Sequence, residues 1–329
     1  MIKHLSLQNF RNYAQKAFEF GEGTTLVVGP NAVGKTNILE AIYCLAIGKS
    51  FRAESEQDLI KNNTNFASIK SDDLEILYDN RERFQKLYRV NGVGKRQIDF
   101  IGNLRAVLFC PQDIEIVTDG PSVRRKYLDL VLSQIFKNYR VAVSIYEKAL
   151  RQRNKLLWGI RESRISNLVS REQLEYWDNL LINNGKIIHE RRKDYLNFLN
   201  LPYDHSIISK ERLEKYAREE IASATTLVGP HRDDFKIIVN GKNIKTFGSR
   251  GEQRLAIFNI KIKELDYVLR ATGHAPVLLL DDIFSELDHS NRHLILEQIP
   301  KQQTIMTTTD LHFVEKKALK DFQVIALGV

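Results

Sequence analysis

The residues best equipped for chemistry stand far apart in this chain. Gly29-Pro30-Asn31-Ala32-Val33-Gly34-Lys35-Thr36 fits the pattern GxxxxGK followed by Ser or Thr. Glycines let backbone N–H groups turn inward around phosphate oxygens, and a helix starting there offers its positive N-terminal end. In such a loop the lysine reaches the β- and γ-phosphates, and the hydroxyl of Thr36 ligates Mg²⁺. The eight residues together read as a nucleotide cradle. A second acidic site must accompany it, and Leu278-Leu279-Leu280-Asp281-Asp282 is an apolar strand ending in two carboxylates. Asp281 is expected to hold Mg²⁺, directly or through water, and Asp282 to polarise the attacking water. Between these segments Gly248-Ser249-Arg250-Gly251-Glu252-Gln253-Arg254 opens a helix. Small residues there suit phosphate contact, and a plain N-cap at Ser249 explains them equally well.

The elements around these residues must bring them together. Ile2–Leu7 alternates as a strand, and Thr24–Val28 is a short apolar run that ends at Gly29. A helix is expected next, with Ile38, Leu39, Ile42, Leu45 and Ala46 at helical spacing. From Phe66 to Phe109 the pattern is short strands with an Asn91-Gly92 hairpin turn. Gly92-Val93-Gly94-Lys95 is therefore a hairpin tip, because no helical pattern follows it. After Gly120-Pro121 helices take over. Leu128, Val131, Ile135, Tyr139, Ala142, Tyr146 and Ala149 mark the apolar face of a first helix, and Cys44 reads as a buried helix residue. A second helix carries a seam at alternating spacings of three and four: Leu174, Trp177, Leu181, Asn184, Ile188, Arg191, Tyr195 and Phe198. That spacing suits a short coiled-coil hairpin or an ordinary helical bundle and does not separate them. Strand character returns at Thr225–Val228 and Phe235–Val239, and the chain ends in alternating helix and strand. The fold expected is α/β: a P-loop head over residues 1–112 and 222–329, interrupted by a helical arm over 113–221.

Bulk properties bound the rest. At 329 residues the chain exceeds what one core normally serves. It is 43% hydrophobic and 27% charged, an ordinary globular balance, and has no apolar run of membrane-spanning length. With only Cys44 and Cys110 present, neither a disulfide framework nor a thiolate metal site is indicated. A cytoplasmic protein is the natural expectation. The net charge is +8, and residues 121–170 carry eleven Lys/Arg against three Asp/Glu, so this segment holds the whole excess. Such concentration suggests an anionic partner, with a solvated helix face as the alternative. Lys148, Arg151 and Lys155 project together at helical spacing. With Arg124 and Arg125 they are the candidate DNA contacts.

The order of these motifs resembles the RecF family, compact bacterial relatives of the SMC and ABC ATPase heads. The resemblance is carried by Asn9-Phe10-Arg11-Asn12-Tyr13, by the loop continuing into Thr36–Ala41, and by Gly48-Lys49-Ser50-Phe51-Arg52. Gln152-Arg153-Asn154, Gly229-Pro230-His231-Arg232-Asp233-Asp234, Ser249–Arg254 and Leu278–Asp288 complete it. It implies ATP and Mg²⁺ binding, with dimerisation around ATP. Ser249 and Gly251 of one subunit would touch the γ-phosphate held by the other, and the Ser285–Asp288 loop would lie at the same seam. It also implies ATP-dependent binding of duplex DNA near single-stranded gaps. The family works with RecR and RecO to load RecA, in DNA repair, replication and the SOS response. Slow hydrolysis would reset the clamp.

Some positions depart from the family pattern. Pro30 and Val33 stand where acidic residues and glutamine are usual, and Arg250 and Glu252 where glutamines are expected. Thr307-Thr308-Thr309-Asp310 follows the last core strand in place of a histidine. Gln112 is a candidate for the glutamine that links nucleotide to the insertion. His289 and His293 have zinc-pair spacing without an evident third ligand. His231-Arg232-Asp233 suits a structural ion-pair role at least as well as acid–base chemistry. Three other classes share the nucleotide motifs: a transporter's ATPase subunit, a non-hydrolysing adaptor and a nuclease-coupled ATPase.

Overall fold

The computed structural model describes residues 1–162, 167–283, 302–313 and 318–328. The Ser285–Asp288 loop, His289, His293 and the helix expected near 292–298 lie outside the described residues. The chain forms two compact units, Met1–Ile114 with Ser249–Val329, and Glu115–Gly248. Residues 222–248, assigned to the head by their strand pattern, thus belong with the helical unit.

The first unit begins with β1 (His4–Phe10), β2 (Tyr13–Glu19) and β3 (Thr24–Val28), then α1 (Lys35–Ile47). Next come β4 (Phe66–Ser71), β5 (Leu74–Asp79), β6 (Gln85–Val90), β7 (Val93–Lys95), the short α2 (Gln97–Phe100) and β8 (Ala106–Phe109). β1, β2 and β4–β7 make an antiparallel sheet ordered β2-β1-β4-β5-β6-β7. The expected hairpin turn is present, with Asn91 and Gly92 both at positive φ (51° and 76°), as a two-residue turn between twisted strands demands.

The second unit starts with α3 (Glu115–Thr118), α4 (Pro121–Ile135), α5 (Lys137–Arg161) and α6 (Asn167–Leu199). The first helix expected from the apolar face is two helices, broken at Phe136, whose backbone is extended. Neither proline nor glycine signals the break. The Phe136 ring lies 4.1 Å from the Arg191 guanidinium carbon, a tertiary cation–π contact invisible to local pattern. Leu128, Val131, Tyr139, Ala142, Tyr146 and Ala149 are buried as expected. On α6 the buried stripe runs through Leu181, Gly185, Ile188, Arg192 and Tyr195. It shares Leu181, Ile188 and Tyr195 with the expected seam and takes Gly185 and Arg192 in place of Asn184 and Arg191. A Cβ on Gly185 would lie 2.6 Å from Ile208 Cγ2, so close packing there requires glycine. The unit continues through β9 (Tyr203–Asp204), α7 (Lys210–Lys215), α8 (Ala217–Ser223), β10 (Asp234–Phe235), β11 (Ile238–Val239), β12 (Lys242–Asn243) and α9 (Ile244–Phe247). No strand forms at Thr225–Val228, because the backbone there bends toward the Gly229 turn at φ 124°.

The chain then returns to the first unit with α10 (Arg250–Thr272), β13 (Val277–Leu280), β14 (Thr304–Thr308) and β15 (Gln323–Ala326). These strands join β3 and β8 in an all-parallel sheet ordered β15-β3-β14-β13-β8. Its strands are apolar along their length because α1 and α10 pack on it. Open parallel sheets bind ligands beyond the carboxyl ends of their strands, and both the Gly29 loop and Asp281 are at that edge.

Candidate nucleotide and metal site

The loop from Gly29 to Thr36 leaves β3 and enters α1 with Ala32 and Gly34 at positive φ, 66° and 113°. A Cβ on Gly29 would sit 2.5 Å from the Leu327 carbonyl oxygen. One on Gly34 would sit 2.7 Å from the Asn12 amide and 2.8 Å from the Tyr13 hydroxyl. Both glycines are therefore required by close approach as well as by pattern. Lys35 Nζ donates to the carbonyls of Gly29 (2.7 Å) and Pro30 (2.8 Å), which aims the ammonium into the loop. Burial lowers the lysine's pKa, and the Asp282 and Asp281 carboxylates oppose that shift.

Asp281 follows β13, and Thr36 begins α1. Thr36 Oγ1 donates to Asp281 Oδ1 at 2.9 Å. Thr307, on β14 between the two strands, donates to the same oxygen at 2.8 Å and accepts from the Asp282 N–H at 3.0 Å. Burial raises the Asp281 pKa while the hydroxyls of Thr307 and Thr36 work against the rise. Asp282 holds the left-handed backbone conformation at φ 47°, which a non-glycine residue keeps only where its surroundings impose it. A carboxylate oxygen and a hydroxyl oxygen meeting beside the phosphate loop form a hard donor pair that fits Mg²⁺.

A second layer is not evident from the motifs alone. Glu40 on α1 is completely buried and accepts from Arg11 Nε (2.9 Å) and Nη2 (2.6 Å), from Arg52 Nη2 (2.9 Å) and from Ser50 Oγ (2.6 Å). The arginines hold its pKa down against the opposing effect of burial. Asn12 donates to the Val33 carbonyl (2.9 Å), Tyr13 to the Gly34 carbonyl (3.2 Å), and Asn37 to Asn12 (2.6 Å). The Asn9–Tyr13 and Gly48–Arg52 segments thus clamp the phosphate loop from outside. The signal in the sequence is Glu40 itself, an acid inside the apolar run Ile38-Leu39-Glu40-Ala41-Ile42, because a buried carboxylate requires a cation.

Ser249 caps α10. Its hydroxyl accepts from the Glu252 N–H at 3.3 Å, and the Glu252 carboxylate accepts from the Ser249 N–H at 2.7 Å. Glu252, unusual against the family pattern, completes a capping box. Gly251 is exposed, and a Cβ there would meet nothing within 4 Å among the described residues. Gln112 is exposed on the turn after β8, whose last residue Phe109 accepts from the Asp281 N–H at 2.9 Å. Buried Lys261 of α10 reaches Asp113 of that turn at 3.3 Å.

Comparison with known proteins now decides the family. The model described as "RecF/RecN/SMC N terminal domain" matches residues 1–324. The DNA replication and repair protein RecF of Enterococcus faecalis is 35% identical, covering 96% of this chain and 94% of the relative. RecF of Thermoanaerobacter pseudethanolicus is 34% identical over 95% of each. The chain belongs to the RecF family. A solved structure of the recombination mediator protein RecF with ATP, in the RecFOR pathway, superposes with TM-score 0.85 at 34% identity, covering 95% of this chain and 93% of that one. An SMC head bound to a winged-helix domain of ScpA superposes at 0.51 with 17% identity, which supports the head fold alone. The α/β P-loop head expected from the sequence is thus the fold of this RecF-family chain.

In the helical unit the DNA-contact candidates divide. Arg124 is buried: Nε and Nη2 form a fork on Asp234 at 2.6 and 3.1 Å, and Nη1 donates to the carbonyls of Ile116 and Asp119. With its donors spent internally, Arg124 is corrected from DNA contact to structural tie. Arg125 is half-buried and donates to the Asp233 carbonyl at 2.8 Å. Lys148, Arg151 and Lys155 are exposed on one face of α5. Asp233 accepts from buried Arg192 (3.1 Å), from Tyr203 and from the Ser206 N–H (2.8 Å). His231 bonds Tyr146 and the Thr226 carbonyl, at 2.8 and 2.9 Å. His231 and Asp233 therefore serve the packing of this unit, and Arg153, bound to Asp178 and Glu220, does likewise.

Proposed function

We propose that this chain is an ATP-gated DNA-binding protein of recombinational repair and replication restart. ATP occupies the Gly29–Thr36 loop: Gly29, Asn31, Ala32, Val33 and Gly34 offer backbone to the phosphates, with Pro30 completing the turn, and Lys35 supplies charge. Thr36 and Asp281 would hold Mg²⁺, which neutralises phosphate charge when bound. Asp282 orients the attacking water. Ser249 and Gly251 close on the nucleotide of a second copy, where the exposed α10 N-terminus offers its N–H groups. The resulting dimer holds duplex DNA beside a single-stranded gap through Lys148, Arg151 and Lys155. It acts in the cytoplasm with RecR, RecO and RecA, and slow, DNA-stimulated hydrolysis serves as its switch. Solved relatives with ATP and relatives named for DNA repair support the reading.

One observation carries it: Thr36 and Asp281, 245 residues apart in sequence, meet at 2.9 Å. Sedimentation of the pure protein with and without ATP·Mg²⁺ and a duplex oligonucleotide tests it. A dimer that forms only with ATP and then carries the duplex is the expected result. A monomer that binds ATP and ignores both its twin and DNA would leave an adaptor or a transporter subunit.

A further inference from the structure

We infer that Thr307 is a positioning residue for both acidic groups of the site, setting Asp281 and Asp282 through one hydroxyl. This inference rests on the proposed ATP and Mg²⁺ chemistry and assigns a role that none of the nucleotide motifs contains. β14 runs parallel between β3, which delivers the phosphate loop, and β13, which delivers the carboxylates. Thr307 pairs in register with Val27, and Met306 with Leu280, so Thr307 stands level with Asp281.

The hydrogen-bond directions at Thr307 leave no freedom. The Asp282 N–H donates to Oγ1 at 3.0 Å, so a lone pair faces it, and the single hydroxyl proton goes to Asp281 Oδ1 at 2.8 Å. At 1% exposure, inside the sheet, Thr307 supports the site from behind. Thr36 donates to the same Oδ1, but its hydroxyl is the one the phosphate loop turns toward a bound cation. Once Thr36 turns, Thr307 is the side-chain donor still orienting Asp281. Its second bond fixes the Asp282 backbone at φ 47°, a conformation costing about 1–3 kcal/mol that decides where the Asp282 side chain points. A β-branched residue suits the task, because its χ1 is stiff and the methyl packs while the hydroxyl bonds.

The test compares Thr307→Val, Thr307→Ala and Thr307→Ser with the wild type. Affinity for a fluorescent ATP analogue is measured with Mg²⁺ and with EDTA, alongside steady-state hydrolysis and melting temperature. Losing one charge-assisted hydrogen bond is expected to cut the Mg²⁺-dependent gain in affinity about 10-fold. Misplacing Asp282 lowers kcat a further 10- to 100-fold, as an order of magnitude for a displaced catalytic group, with KM moved less. Affinity in EDTA serves as the internal control and stays near the wild-type value. Thr307→Ser restores the Mg²⁺ gain and kcat, and Thr307→Ala serves as the deletion if Thr307→Val does not fold. Two outcomes overturn the assignment: a folded deletion with the wild-type Mg²⁺ gain and kcat, or a serine variant no better than valine. A wild-type chain that binds no ATP would instead remove the parent reading, and is recognised before any variant is made.

Discussion

The head and the helical unit each bury a charge network, and the two are built in opposite senses. In the head the buried partner is the acid: Glu40 has no exposed side-chain surface, while Arg11 and Arg52 keep 21% and 32% of theirs. In the helical unit the cation is buried: the Arg192 side chain is 4% exposed and lies among Asp129, Asp233 and the Tyr139 hydroxyl. Arg153 repeats that arrangement with Asp178 and Glu220. A buried acid with half-exposed arginines leaves guanidinium edges beside the phosphate loop. A buried arginine spends its donors inside and leaves nothing for a ligand. Arginine-bearing motifs alike in sequence thus differ in what they offer to another molecule.

The largest effect should come from the head's own cation. Lys35→Ala removes the ammonium from the loop, and ATP affinity is expected to fall about 100-fold or more, as for the loss of charge-assisted bonds to phosphate. Its melting temperature stays close to that of the wild type, because the ammonium's partners are loop carbonyls, each with a free lone pair to offer water. A titration with fluorescent nucleotide and a thermal melt check both halves. Unchanged affinity would erase the functional side of the contrast.

Arg192→Leu should do the reverse. Breaking a buried network by removing one member leaves Asp129 and Asp233 uncompensated, at a cost of about 3–5 kcal/mol. The variant melts far earlier, yet any folded fraction binds ATP with wild-type affinity. Nucleotide binding lost in step with folding in Lys35→Ala, or lost without unfolding in Arg192→Leu, would break the comparison.

What the sequence makes legible follows the same divide. The phosphate loop, the Asp281 strand and the capping position at Ser249 are local patterns, each readable because a single turn or strand end imposes its residues. Glu40, Arg11 and Arg52 stand in motif segments whose role is hidden, since their meeting depends on β1 and α1 packing together. Thr307 stands out in sequence only as the replacement for an expected histidine, because its partners lie 25 and 26 residues away. Arg124 misleads for a related reason. A basic residue at the start of a helix looks exposed until the chain 110 residues later supplies Asp234. The α6 stripe shows the limit of hydrophobic counting, since its core includes a glycine and an arginine that no apolar pattern selects.

His231 gives the helical unit a pH dependence of its own. Burial pushes its pKa down to about 4, with the Arg232, Arg125 and Arg153 charges acting in the same direction and the Thr226 carbonyl opposing them. The unfolded chain takes up a proton near the ordinary value of about 6.5 and the native unit does not. Stability is therefore fully present above pH ~6.5 and is lost as pH falls toward 4, by roughly 1–3 kcal/mol. A series of melts across that window should show the slope, and His231→Gln should flatten it. A slope unchanged in His231→Gln would place the sensitivity in another group.

The smallest effect sharpens the contrast on the surface of the helical unit. Lys148 and Arg151 are exposed on α5, whereas Arg124 is committed to Asp234. Lys148→Glu combined with Arg151→Glu should weaken duplex binding and reduce the slope of log affinity against log salt by about 1–2, roughly one unit for each phosphate no longer neutralised. Melting should barely change, because both side chains project into solvent. Arg124→Gln should behave inversely: it destabilises the unit, and the salt slope of the folded protein is retained. Measuring both variants at three or more salt concentrations separates charge that meets DNA from charge that holds the helices. If the double variant keeps the wild-type slope, the exposed face of α5 is a solvated face after all, and the excess positive charge of residues 121–170 meets DNA elsewhere or not at all.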